Sequence, residues 1–400
     1  MRTTRRAYSL KLAAAVSTAF VLVGLPLLAG NETQSFGHTI PAFEDVFIKL
    51  FKLEVGTMSM DQLKTVSAQL SDKERAAISY FLGSEGHDKV KEGMPQDKQD
   101  FLEEKYQAHS EVPPEFDFRK VFPHVLAVAD NNLTLEQNKQ VVDALAEEEI
   151  ASQSFYLGED GRAAFFNEIS EDRARIILDR TADWVFIDTG KRKYKLISDY
   201  TSIMYKQERL GNKLQDVEKI LVKFREKPKG IYMKWLDGPW KGRELVYSDK
   251  ALGVGKVRVR ESGILGIIPV TLPVDSEIAK RGSNHMVTEI GLKNLLDMIE
   301  FDYRKAAPKG ELTRKNHGIV DVDGHKVFKQ ESILSKDKSK GYYCYRMIHY
   351  IDYLRSLEIQ AEVFNWDNEL QESYLYTQIK LNAGLTDRDF DPSNPDYDLK

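Results

Sequence analysis

The chain has 400 residues, 42% hydrophobic and 30% charged, with a formal net charge of −5. That balance excludes a disordered chain and a polytopic membrane protein, and the length has room for two or three domains. Its one cysteine, Cys344, excludes an internal disulfide framework.

Arg2, Arg5, Arg6 and Lys11 precede an apolar run over 12–28 that ends in Ala29-Gly30, ahead of the polar pair Asn31-Glu32. This is the layout of a signal peptide over residues 1–30. Pro26, near the end of a run barely long enough to span a bilayer, argues against an uncleaved anchor. Arg5-Arg6-Ala7-Tyr8 partly matches a twin-arginine signal, with Ser9 where a leucine is expected. No cysteine follows the run to carry a lipid. The expectation is an exported protein of the periplasm or cell envelope, soluble after cleavage, with no nucleic-acid partner.

Residues 31–190 carry 31 acidic and 16 basic side chains, whereas 191–400 carry 31 and 37, so the two halves read as distinct domains. From Ala42 to about Thr189 the period is helical, with Phe43, Val46, Phe47, Leu50 and Phe51 at three- and four-residue intervals. Ser71 with Glu74, and Thr134 with Gln137, match the capping box. Gly83, Gly86, Gly93 and Pro113-Pro114 punctuate the pattern, and Glu147-Glu148-Glu149 reads as a solvated helix face. The prediction is an all-helical domain over 31–190 with five to seven helices, the last near 173–186. Its protein partner is unknown.

Beyond Gly190 apolar and polar residues alternate. Strands are predicted near 199–209, 214–226, 230–236, 243–249, 256–262 and 266–272, with Gly211-Asn212 as a hairpin turn. Ile220, Val222 and Phe224 share an apolar face, and Lys219, Lys223 and Arg225 share the other with Leu221. The period then changes: Met286, Ile290, Leu295, Met298, Ile299 and Phe301 make an amphipathic helix over 283–306. Strands resume near 317–322, 325–332, 341–352, 357–366 and 369–381, with turns at Asp323-Gly324 and Asp367-Asn368. Many strands in hairpin order, with one long helix between two groups, predict an α+β fold whose curved, open sheet wraps that helix.

The blocks YTSIMYKQERL (200–210), VKFREKPKGIYMKWL (222–236), GPWKGRELVY (238–247), SNHMVTEIGLKNLLDMI (283–299) and KLNAGLTDRDFDPSNPDY (380–397) fall in the order characteristic of one group. On these blocks residues from about 190 to 400 resemble the bacterial exported domain of unknown function 1571 family. One position departs: Met286 stands where the family block prefers a proline after its histidine. That family is in turn similar to periplasmic lipoprotein carriers and outer-membrane lipoprotein-sorting proteins. The resemblance implies an open antiparallel β-barrel over 191–400, closed by helices over an apolar cavity. By fold analogy it also implies a lipid or acyl-chain ligand.

The residues themselves support several sites, each with a plainer alternative. His285 and Glu289, four apart at a predicted helix start, suit an acid/base pair, two metal ligands or a structural pair at the helix N-terminus. No third metal ligand is placed, no catalytic residue is assigned and no cofactor is implied. Lys223, Arg225, Lys227, Lys229 and Lys234 form a basic stripe with Phe224, Tyr232 and Trp235 interleaved. It suits an anionic membrane surface, or is simply a solvated strand face. Tyr343, Tyr345 and Met347 alternate along one strand face and suit a cavity lining or core. Cys344 reads as a small buried hydrophobe rather than a nucleophile. The acidic tail from Asp387 to Asp398 lacks the glycine of a calcium loop and reads as Asx-turns folding onto the sheet.

Three functions remain open on this reading. The first is an exported carrier or binding module, not an enzyme, that shelters an apolar ligand in the open barrel. The others are an envelope interaction protein with a filled core, and a hydrolase built on His285 and Glu289.

Overall fold

Hydroxyl side chains set the helix starts in the first half of the chain. Ser59, Ser71 and Thr134 accept from the backbone amides of Gln62, Glu74 and Gln137, whose side chains reach back to the cap amides. Each box satisfies two amides that the helix geometry leaves without a partner. A computed structural model describes residues 33–109, 117–263, 266 and 268–400. The predicted signal peptide at 1–30 lies outside the described residues. Among the described residues, no helix is long and apolar enough to cross a membrane.

The chain divides into two compact units, one ending at Thr181 and the other running from Ala182 to Lys400. The first opens with a short hairpin, β1 (Thr33–Ser35) and β2 (His38–Ile40). Its turn places Phe36 and Gly37 at positive φ, and Phe36 is not a residue that announces such a turn. Then follow α1 (Phe43–Thr57), α2 (Met60–Gln69), α3 (Asp72–Lys91), α4 (Gln96–His109), α5 (Phe118–Asn132), α6 (Leu135–Asp143), α7 (Glu147–Glu168) and α8 (Glu171–Arg180). That is more helices than the periodicity predicts, because α1 and α2 are parted by a link too short to interrupt the apolar period. Phe43, Phe47, Phe81 and Phe122 form the aromatic core, with the rings of Phe47 and Phe122 4.4 Å apart.

The helix predicted near 173–186 is two helices. Thr181 is extended (φ −72°, ψ 122°) and ends α8, so α9 (Asp183–Tyr194) belongs to the second unit. There it precedes β3 (Asp199–Leu210), β4 (Lys213–Leu214), β5 (Glu218–Arg225), β6 (Gly230–Asp237), β7 (Glu244–Ser248), β8 (Lys256–Arg260) and β9 (Val270–Pro273). Next come α10 (Leu292–Ala306), β10 (Thr313–Val322), β11 (His325–Ile333), β12 (Arg346–Asp352), β13 (Leu357–Phe364) and β14 (Leu370–Leu381). Among the described residues these strands make one sheet of 12, in the order β10-β11-β12-β13-β14-β3-β5-β6-β7-β8-β9 with β4 on β3. Two meanders are joined where β14 pairs with β3, and every pairing is antiparallel. The edge strands β9 and β10 do not meet, so the sheet is open.

The helix between the meanders covers the apolar face of this sheet. Leu292, Leu295 and Met298 of α10 join Met204, Ile220, Val222, Phe224, Met233, Trp235, Val257, Met347, Ile359 and Tyr376 in one core. The fold is the α+β, open, helix-filled antiparallel sheet that the sequence predicts. α10 starts at Leu292, later than the periodicity implied. Gly291 has φ 128°, and a Cβ there would stand 3.0 Å from the Tyr200 hydroxyl and 3.3 Å from the Phe224 ring. Phe301, counted on its apolar face, is 47% exposed.

The opposite face of β5–β7 is covered by the C-terminal tail. Phe390, Tyr397 and Leu399 pack on Tyr232 and Val246, and the tail turns on Asx hydrogen bonds from Ser393 N to Asp391 and from Asp396 N to Asn394. Phe390 seats on Gly230, where a Cβ would lie 2.5 Å from its ring.

Candidate functional site

Two groups of side chains lie on the apolar face of the sheet unit. The first is polar. His285 is in the loop before α10, with Nδ1 3.6 Å from Glu289 and Nε2 3.1 Å from Glu372 of β14. Tyr343 donates to the same Glu372 at 2.7 Å. His285 and Glu289 therefore do meet, but across a short 3-10 turn over Val287–Glu289 rather than one turn of a long helix. Burial opposes the His285 charge, yet the hydrogen bond and charge of Glu372 outweigh it and raise its pKa. The Glu372 carboxyl, though buried, is held below the usual range chiefly by His285.

Next to this pair is a buried charged cluster that strand periodicity conceals. Lys206 and Glu208 of β3 and Glu218 of β5 are 4%, 2% and 3% exposed. The Lys206 ammonium is 3.3 Å from Glu218 and 3.8 Å from Glu208, and it donates to the Gly282 carbonyl at 2.7 Å. Glu218 accepts from the Trp235 indole at 2.5 Å, while Glu208 accepts from Tyr374 at 2.7 Å and the Asn284 amide at 2.7 Å. These bonds fasten residues 282–285, the lead into α10, to the sheet. The helix start is then tied by Tyr376, whose hydroxyl accepts from Gly291 N at 3.1 Å, and by Tyr200, which accepts from Leu292 N at 3.0 Å. Replacing Tyr200 and Tyr376 with phenylalanine together is expected to lower stability by roughly 2–6 kcal/mol, since two buried amides lose their acceptors. Chemical unfolding followed by tryptophan fluorescence checks this.

The second group lines a cavity of about 40 Å³ between α9, α10 and β11–β13. Met347 is on its wall, with Ile187, Leu296, Ile299, His349 and Glu358. No sequence signal singled out His349 or Glu358. The helical unit has its own cavity of about 70 Å³, lined by Val66, Leu70, Ile78, Leu82 and Phe101 among others.

The other predicted positions separate. Phe224 and Trp235 belong to the main core. Tyr232, one residue out of phase with Trp235, faces the tail, stacks on Tyr397 at 4.0 Å and donates to Glu244 at 2.5 Å. It therefore does not share a surface with Phe224. Tyr343 joins the His285 cluster, because Tyr343 N bonds to Asp302 at 2.7 Å and the strand begins only at Arg346. Tyr345 is half-buried beneath the Lys336 ammonium, 4.9 Å from its ring. Burial and then Asp302 push the Cys344 thiol well up, away from a nucleophile's range. The basic stripe is not a free cationic face. Lys223 pairs with Asp389 at 2.8 Å, Arg225 with Asp387 at 2.9 Å, Lys234 lies 3.8 Å from Glu244, and Lys229 donates to the Thr288 carbonyl at 2.8 Å. The tail that neutralises it is distant in sequence, so the stripe reads as open until the fold closes.

A family model described as "Protein of unknown function (DUF1571)" matches residues 197–399. The chain belongs to the DUF1571 family. No functionally curated protein matches it. Solved structures with a similar fold include a DUF1329 family protein from Desulfovibrio piger, at 12% identity over 52% of this chain and 95% of that one, with a TM-score of 0.27. Another is the lipoprotein LppX of Mycobacterium tuberculosis, at 12% identity over 51% and 99%, with a TM-score of 0.32. A LolA superfamily protein from Nitrosomonas europaea matches at 10% identity over 51% and 96%, with a TM-score of 0.24.

Proposed function

We propose that the sheet unit of this DUF1571 protein is an exported binding and carrier module for an apolar ligand of acyl-chain type, with α10 as a plug that the ligand displaces in part. The observation that carries this reading is the apolar face of an open sheet covered by one amphipathic helix rather than by a second sheet. Lifting α10 would expose Leu292, Leu295, Leu296 and Met298, at a cost of about 1.5–3 kcal/mol each. An alkyl chain recovers about 0.8 kcal/mol per buried methylene, so one of roughly 8–15 carbons offsets that exposure. No covalent chemistry is required.

A second reading, an envelope interaction protein, is favoured by one specific observation: a cavity of about 40 Å³ has room for a few water molecules and not for a long alkyl chain. Hydrolysis through His285 and Glu289 has weaker support. The His285 nitrogens face carboxylates, and its Nε2 partners, Glu372 and Tyr343, already bond to each other. Membrane docking through the basic stripe loses its support to the tail.

Native mass spectrometry of protein purified from the exported fraction, followed by organic extraction, tests the carrier reading. A stoichiometric lipid is the expected result. A bare mass, with no uptake of added palmitate, leaves the interaction reading.

A further inference from the structure

Within the cavity between α9, α10 and β11–β13, a buried imidazole nitrogen has no hydrogen-bond partner. His349 is 2% exposed, and as a β12 residue it faces the same side as Met347 and Ile351. Its Nε2 is satisfied by the Ser332 hydroxyl at 2.9 Å, but its Nδ1 has no partner. Opposite it, Glu358 of β13 is 5% exposed and accepts from the Tyr350 amide at 3.0 Å. The gap from Nδ1 to the Glu358 Oε1 is 3.9 Å, too long for a direct hydrogen bond. An oxygen about 2.8 Å from each atom would bridge that gap. Leaving a buried imidazole nitrogen unpaired costs about 1–3 kcal/mol, which an apolar residue on this wall would not incur.

Neither group favours an ion. Burial, with the charge of Arg314 adding to it, pulls His349 down to about 3, and burial pushes Glu358 up to about 8. Near neutral pH the two therefore face each other uncharged, with Ile187, Leu296, Ile299, Met347 and Ile351 among the apolar residues of the wall. The cation near the pair, Arg314, already faces the Asp183 carboxylate at 3.5 Å, so it offers a bound anion little.

We propose that this cavity seats the uncharged, hydrogen-bonding head of an alkyl ligand, an alcohol or a protonated acid, between His349 Nδ1 and Glu358, with the chain leaving between α9 and α10. A hydroxyl both donates and accepts, so it suits either tautomer of His349. The volume fits the head alone, and the alkyl chain occupies space vacated by α10 side chains such as Leu296. This inference rests on the carrier reading and adds to it the chemistry of the ligand's head.

The test uses the full chain and two probes of equal chain length, 1-octanol and octane, titrated by ligand-observed NMR. Wild type is expected to bind 1-octanol about tenfold more tightly than octane, the worth of one buried hydrogen bond. His349→Phe is expected to bring 1-octanol to the affinity of octane while leaving octane unchanged. Tryptophan fluorescence verifies the fold, and Glu358→Met, of similar volume, serves if the first variant does not fold. Equal affinity for the two probes in wild type removes the polar seat but leaves apolar binding intact. Uptake of neither probe removes the polar seat, and if palmitate is not taken up either, the carrier reading goes with it.

Discussion

Lys206→Met is expected to destabilise the sheet unit by about 3–5 kcal/mol, because it leaves Glu208 and Glu218 buried without their cation. Lys206 is 4% exposed and is the ammonium nearest both carboxylates, and its bond to Gly282 also holds the loop that leads into α10. The cost should depend on pH. Burial already raises the Glu218 pKa against the pull of Lys206, so losing that pull raises it further. A carboxyl whose folded pKa exceeds its unfolded value binds more protons when folded, so stability rises as pH falls through that window. The variant should accordingly recover part of its loss as pH falls below neutral. Adding Glu218→Gln should restore more stability than any single change, since it removes one of the stranded charges. All four tryptophans, Trp184, Trp235, Trp240 and Trp366, lie in the sheet unit, so urea unfolding by tryptophan fluorescence reports it alone. If the double variant is no more stable than Lys206→Met, stranded charge is not the cause.

Glu358→Gln is expected to stabilise the unit at pH 8 by a few kcal/mol and to have little effect at pH 4. The folded pKa of Glu358, about 8, lies above that of an ordinary carboxyl. The unfolded chain ionises first, so the wild type loses stability as pH rises from about 4.5 to 8. His349 acts in the other direction. Its folded value of about 3 lies below the ordinary histidine value, so stability falls as pH drops from about 6.5 to 3. The two slopes oppose each other between about pH 4.5 and 6.5. The groups facing this pair are Arg314 from β10, Ser332 from β11 and the Tyr350 amide, with Tyr194 of α9 close enough to Glu358 for their charges to interact. The readout is the difference in melting temperature between variant and wild type from pH 4 to 8, followed by tryptophan fluorescence. A difference that does not change with pH would show that Glu358 titrates normally.

Much of this protein follows from local sequence. The capping residues Ser71 and Thr134, the turns at Gly211-Asn212 and Asp323-Gly324, and the alternation Ile220, Val222, Phe224 each act within a few residues of themselves. A hydroxyl can cap a helix, and a glycine can take positive φ, whatever the rest of the chain does. The apolar period likewise determined that a helix lies between two strand groups, and the family blocks determined which fold those groups build. Only the tertiary structure decided what each face meets. Strand alternation separates Tyr232 from Trp235 without saying that a tail more than 150 residues later buries one and neutralises the lysines beside it. His285 meets Glu372, and His349 faces Glu358, because antiparallel register and loop closure bring them together. Long-range pairing sets such contacts, and so does the burial that moves their pKa values, and neither leaves a mark on the spacing of residues along the chain.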